Sequence, residues 1–135
     1  MSNGDTGKST FGLDANVVAL LCYLANICMS LGLILSIITV VTDKTNKLAR
    51  FHAFQSIFLS VFGAVFGILV AIVVTVGAVI DQAIGFPAVT GLLGLILGVI
   101  GIALFVLVIL AAVKGFQGQI YKIPIIGNFA DKYSG

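Results

Sequence analysis

The residue with the widest choice of chemistry is His52, the only histidine in the chain. An imidazole can shuttle a proton, ligate a metal or serve as an axial ligand to a tetrapyrrole. It stands in the run Arg50-Phe51-His52-Ala53-Phe54-Gln55-Ser56, between a fixed positive charge and an amide and hydroxyl. A single histidine excludes a two-histidine metal site and a histidine pair serving a nucleophile. Two readings of His52 follow. In one it is an interfacial, structural side chain, neutral near neutral pH and bonded to helix-end backbone or water. In the other it binds a pigment or haem within a larger complex. Its place near the headgroups favours the first. The carboxylates do not gather either: Asp14, Asp43 and Asp81 sit at the ends of apolar stretches, and Asp5 and Asp131 in the tails. Proton-coupled carriers place an acid or base within the membrane, and these do not. The glycines lack the Lys-Ser/Thr that completes a phosphate-binding loop. Cys22 and Cys28, six residues apart on a helix, point about 120° or more from each other and cannot pair; they read as buried thiols. The expectation is a protein that is not an enzyme and uses no cofactor or metal.

The elements that position these residues are apolar. Ala15–Thr42, Phe51–Ile80 and Gln82–Val113 contain no formally charged residue, and a membrane-crossing helix needs about 20 apolar residues. The chain is 60% hydrophobic and 9% charged, with a mean hydropathy of +1.23, against about 25% charged in soluble proteins. A net charge of +2 with no long basic run speaks against nucleic-acid binding. The start lacks the basic cluster and cleavage site of a signal peptide, so the first span is expected to stay. The fold expected is all-α: an integral membrane protein with three transmembrane helices in an antiparallel bundle, at about 15–42, 51–80 and 88–113. A short extracytoplasmic tail (1–13) precedes this 14–113 domain, and a cytoplasmic interfacial tail (114–135) follows it.

Orientation follows from the loops. Lys44, Lys47 and Arg50 share one side of a three-span protein with Lys114, Lys122 and Lys132, leaving Lys8 on the other. The positive-inside rule then puts the N-terminus outside the prokaryotic cytoplasmic membrane and the C-terminus in the cytoplasm.

At 100° per residue, His52, Ser56, Ser60, Gly63, Gly67 and Ala71 form one stripe of the second span, and Phe51, Phe54, Phe58 and Phe62 the opposite one. Small residues let helices approach in lipid. The Ser/Gly stripe is therefore the expected packing side and the Phe stripe the lipid side. Gly63 and Gly67 form a GxxxG pair, as do Gly94 and Gly98 in the third span. In the first span, Asn26 lies on a stripe with Asn16, Ala19 and Tyr23, and its amide calls for a partner on another helix. Pro124 bars a continuous helix through Tyr121–Phe129, which reads as an interfacial segment docked over the start of the second span, near His52, Gln55 and Ser56.

Ala49–Ile57 (Ala-Arg-Phe-His-Ala-Phe-Gln-Ser-Ile), Gly12–Val17 (Gly-Leu-Asp-Ala-Asn-Val) and Tyr121–Lys132 (Tyr-Lys-Ile-Pro-Ile-Ile-Gly-Asn-Phe-Ala-Asp-Lys) together resemble the DUF4870 family of small prokaryotic membrane proteins, described as Tic20-like. The resemblance covers Gly12–Lys132. It implies a non-enzymatic binding or scaffold subunit, as in a protein translocation or insertion assembly, although Tic20 is taken to have four crossings against the three counted here. The alternative is a structural subunit of an energy-converting or pigment-bearing complex. The partners expected are the lipid bilayer and other membrane subunits or further copies of the chain, with no nucleic acid.

Overall fold

The computed structural model describes residues 2–3, 7–27 and 30–135. Among them are β1 (Ser2–Asn3), α1 (Ala15–Ile27), α2 (Ser30–Thr42), α3 (Lys47–Ile84), α4 (Ala88–Phe116), β2 (Gln119–Ile120) and α5 (Ile126–Tyr133). They form two compact units: Met1–Val61 with Leu107–Gly135, and Phe62–Val106.

In the first unit, Ala15–Thr42 is not one crossing helix. It is two helices of 13 residues each, α1 and α2, packed against each other. Each is about 20 Å long at 1.5 Å per residue, short of a hydrocarbon core of about 30 Å. The approach is close enough that a Cβ on Gly32 would lie 2.2 Å from the Asn26 backbone nitrogen. Cys28 lies outside the described residues, so its relation to the buried Cys22 is not settled. The core gathers Val18, Ala19, Cys22 and Tyr23 of α1, Leu48, Phe51 and Ala53 of α3, Ala111 of α4, and Ile120, Ile123 and Ala130 of the tail.

The start of α3 is set by side-chain caps. Asn46 Oδ1 accepts from Ala49 N at 3.1 Å, the geometry of an N-cap. Asp43 Oδ1 accepts from the N–H groups of Thr45 and Asn46 at 3.1 and 2.9 Å, and the Ser9 hydroxyl donates to Oδ2. Burial acts to raise the Asp43 pKa, but these donors and the nearby Arg50 charge outweigh it and hold the carboxyl below its usual range.

The two ends of the chain lie side by side. Ser2 pairs with Ile120 and Asn3 with Gln119 in an antiparallel bridge, and Asn16 Nδ2 donates to the Phe116 carbonyl at 3.0 Å. This corrects the expectation that the N-terminus and the C-terminal tail lie on opposite faces of a membrane. The first apolar stretch is two short helices packed on each other instead of one long helix.

The second unit is a helical hairpin. Gly85, at φ 78°, ends α3 in the left-handed conformation that glycine adopts without strain. Asp81 then caps α4: its oxygens accept from Val89 N at 2.8 Å and Thr90 N at 2.9 Å, and from the Thr90 hydroxyl. Val65, Ile68, Ile72, Leu95, Val99 and Ile102 are more than half exposed. Apolar surface on that scale is left open only toward lipid or a partner.

The GxxxG pairs are not where the hairpin packs. A Cβ on Gly63, Gly67, Gly94 or Gly98 would meet nothing within 4 Å, whereas one on Gly77 would lie 3.0 Å from Leu93 Cδ1 and 3.3 Å from Val89 Cγ1. The Phe stripe is likewise misread: Phe51 is fully buried, and Phe54 and Phe58 stack under Phe129 and Tyr133 of α5, with ring centroids 5.9–6.4 Å apart. Only Phe62 is exposed. Gly77→Leu is accordingly expected to cost about 1–3 kcal/mol by overpacking, and Gly67→Leu very little. Thermal unfolding of the two variants in detergent checks this, and equal midpoints would refute the assigned contact.

Candidate functional site

Where α1, the start of α3 and the tail meet, three buried polar side chains form a directed chain of hydrogen bonds. His52 Nε2 lies 3.0 Å from the Gln119 carbonyl oxygen. A carbonyl only accepts, so Nε2 carries the proton. Nδ1, 2.9 Å from the Tyr23 hydroxyl, then accepts from it. Tyr23 in turn accepts from Gln55 Nε2 at 2.7 Å. The same amide nitrogen donates to the Tyr121 carbonyl at 3.0 Å, and Gln55 Oε1 accepts from Ile123 N at 3.0 Å. The neutral imidazole thus satisfies every member of the chain. Both ring nitrogens are occupied, so neither is presented as an axial ligand. His52, Tyr23, Gln55 and Ser56 are all fully buried.

The remaining site residues extend this arrangement along α3. Ser56 Oγ donates to the Cys22 carbonyl at 3.0 Å. Ser60 Oγ donates to Asn26 Oδ1 at 2.9 Å, so the Asn26 amide is partnered across the α1–α3 contact. Arg50 closes the other end. Its guanidinium donates to the carbonyls of Val40 and Asp43 at 3.1 and 2.7 Å, capping the C-terminus of α2, and to that of Ser134 at 3.3 Å. The guanidinium also lies 5.6 Å from the centre of the Phe54 ring.

The tail reaches this surface because it is bent. Pro124 accepts from Ile126 N at 2.8 Å, and Ile125 takes φ 70°, a conformation in which a β-branched residue is an outlier. Gly127 follows, where a Cβ would lie 2.6 Å from Lys122 Cα and 2.8 Å from Gln55 Oε1. Lys122 Nζ and Asp131 Oδ2 pair at 2.8 Å, and that Lys122 hydrogen bond holds the Asp131 pKa down.

Of the residues singled out from the sequence, Arg50, His52, Gln55, Ser56, Asn26, Tyr121 and Pro124 are brought into one unit. Gly63, Gly67, Gly94 and Gly98 lie apart from it, in the other. Sequence reasoning missed Tyr23 as the hub, although its spacing from Asn16, Ala19 and Asn26 had put it on their stripe. It also missed Gln119, Ile123 and Gly127, which act through backbone groups and through the absence of a side chain. The arrangement fastens the tail to the helix through a chain of paired buried polar groups, beside which Gln119 Oε1 is buried without a partner.

A family model described as the magnetosome magnetite crystal formation protein family matches residues 14–130. Two curated proteins of Methanocaldococcus jannaschii are similar over most of their length. The UPF0132 membrane protein MJ1443 is 32% identical over 95% of this chain and 96% of its own. The UPF0132 membrane protein MJ1527 is 33% identical over 90% of this chain and 71% of its own. No solved structure matches. These findings overturn the DUF4870, Tic20-like assignment, and the translocation role that rested on it falls too. The motif that suggested it, Arg50 to Ser56, serves here to cap α2 and fasten the tail, which carries no information about transport.

Proposed function

Because the chain belongs to the magnetosome magnetite crystal formation protein family and is a membrane protein, we propose that it is a non-enzymatic scaffold that holds partners at the cytoplasmic face of the cell membrane. In this reading the Phe62–Val106 hairpin is the anchor, crossing the bilayer twice. Its arm of α3, Phe62–Ile84, is about 35 Å long at 1.5 Å per residue, enough for a core of about 30 Å. The α1–α2 pair enters the bilayer without crossing it. The observation that carries the reading is the distribution of charge. Lys8, Lys44, Lys47, Arg50, Lys114, Lys122 and Lys132 are all seven basic residues of the chain, and all belong to the unit built from Met1–Val61 and Leu107–Gly135. The positive-inside rule puts that unit, with both chain ends, in the cytoplasm.

The family description speaks of magnetite, but the described carboxylates are engaged within the protein. Asp14 pairs with Lys8 and Asp131 with Lys122, while Asp43 and Asp81 serve as caps. Among the described residues, no three His, Cys, Asp or Glu side chains group as a metal would need. The reading therefore rests on organisation at the membrane and not on contact with mineral.

Single cysteines at the exposed positions Leu13, Gln82 and Lys132, in a background without Cys22 and Cys28, test the topology. An impermeant maleimide on intact cells should label Gln82→Cys alone, and the other two only after permeabilisation. Labelling of Leu13→Cys in intact cells would restore the three-crossing arrangement with the N-terminus outside. A photo-crosslinker at the exposed Phe129 should then trap protein partners from the cytoplasmic side. Lipid adducts alone would refute the scaffold role.

A further inference from the structure

A cavity of about 390 Å³ opens in the first unit between the segment before α1 and the α2–α3 loop, lined among others by Lys8, Ser9, Phe11, Lys44 and Thr45. Two lysines, Lys8 and Lys44, line it against one carboxylate, Asp43, whose oxygens already accept from the Ser9 hydroxyl and two backbone N–H groups. The pairing of Lys8 with Asp14, at 2.7 Å, joins side chains 70% and 53% exposed, and exposed pairs of that kind hold a lysine only weakly.

A second observation concerns the mouth. Phe11 is 74% exposed and held at φ 60°, the left-handed region that a bulky residue rarely adopts. The turn Thr10–Gly12 therefore presents an aromatic ring outward beside Lys8, with Leu13 also exposed. An aromatic ring next to lysines is the composition of a bilayer interface, where rings settle at headgroup depth and ammonium groups meet phosphates.

We propose that this cavity binds a phosphate-bearing anion, with Lys8 and Lys44 pairing the phosphate oxygens and Thr45 beside them. Two sources share that chemistry: the headgroup of an anionic phospholipid and free phosphate. Phe11 separates them, since only a lipid extends past the mouth to meet the ring.

The experiment is calorimetric titration of the full-length protein in an uncharged detergent with dioctanoyl phosphatidic acid, dioctanoyl phosphatidylcholine and inorganic phosphate. Phosphatidic acid should bind saturably and phosphatidylcholine should not. Lys8→Gln with Lys44→Gln should weaken binding about tenfold or more, because each lysine contributes to holding a phosphate at a charged surface. Lys114→Gln with Lys132→Gln removes the same charge elsewhere and should leave binding unchanged. If Phe11→Ser weakens phosphatidic acid but not inorganic phosphate, the site takes a lipid. Equal binding of both probes, indifferent to Phe11, assigns it to free phosphate. Equal losses in the two lysine pairs would reduce the effect to diffuse surface charge and overturn the site, as would the absence of saturable binding by either anion. The substituted residues are exposed or, for Lys114, half-buried, and unchanged thermal midpoints confirm that all the variants fold.

Discussion

Gly127→Val is expected to release the C-terminal tail and to lower stability by about 3 kcal/mol or more, the sum of overpacking and of freeing a buried acceptor. The new Cβ would stand 2.6 Å from both Cα and Cβ of Lys122 and 2.8 Å from Gln55 Oε1. Two of these three atoms belong to the chain's own bend around Pro124, which cannot yield without undoing the Ile126 N to Pro124 and Gly127 N to Ile123 hydrogen bonds. The third is the acceptor for Ile123 N. The substitution therefore strikes the bend and its fastening together. Trypsin cleavage after Lys122 in detergent-solubilised protein reports the release. It should become many times faster in Gly127→Val and stay unchanged in Gly63→Val, whose side chain enters open space. Equal cleavage rates would mean that the tail is not held where the contacts place it.

Gln55→Leu is the second large effect, again of about 3 kcal/mol. Leucine fills the volume but leaves the Tyr121 carbonyl and the Ile123 N–H buried without partners, each at about 1–3 kcal/mol. The Tyr23 hydroxyl keeps its bond to His52 and loses only a donor. Gln55→Glu separates hydrogen bonding from shape. An ionised carboxylate there could accept from Ile123 N but could not donate to Tyr121, and it would be a buried charge. Burial raises the pKa of such a carboxyl in the folded state. The protonated form is the one that fits, so stability should be present at low pH and be lost as pH rises through the folded-state pKa. Thermal midpoints across a pH series check this. A flat profile, or a Gln55→Leu variant as stable as the parent, would show that the polar chain contributes little to holding the tail.

Much of the helical content is legible in the residue pattern. The break at Asp81–Pro87 is written in Gly85 and Pro87, and helices on both sides of it follow from uninterrupted apolar runs. The start of α3 lies earlier than the apolar run alone suggests, at Lys47, because Asn46 caps it; charge-free windows do not register caps. The reversal inside Ala15–Thr42 left no comparable mark. Both halves are apolar, neither proline lies between them, and the close approach depends on one small residue, Gly32, facing one backbone. The expected orientation rested on counting that stretch as one long helix. The glycine stripes misled for a different reason: small residues permit close approach but do not compel it, and the hairpin's register puts Gly77 at the contact instead. At the candidate site, the side chains of the His52–Ser56 run were visible as a polar group needing partners. The docking of the tail over them was visible too, from the free backbone groups beside Pro124, but the individual pairings were not, because Gln119, Tyr121 and Ile123 meet them with main-chain atoms that any sequence possesses.

The first unit is discontinuous, with its two parts separated along the chain by the whole Phe62–Val106 hairpin. During synthesis, α1, α2 and the start of α3 leave the ribosome long before Gln119, Tyr121 and Ile123 exist. For that interval His52 and Gln55 have only Tyr23 among the residues already made, and the partners that the tail supplies are missing. The hairpin, whose residues are consecutive, can be handed to the insertion machinery during this wait. Closure of the polar chain therefore waits for the last part of the chain, and the tail can be fastened only after every residue of the hairpin has been made.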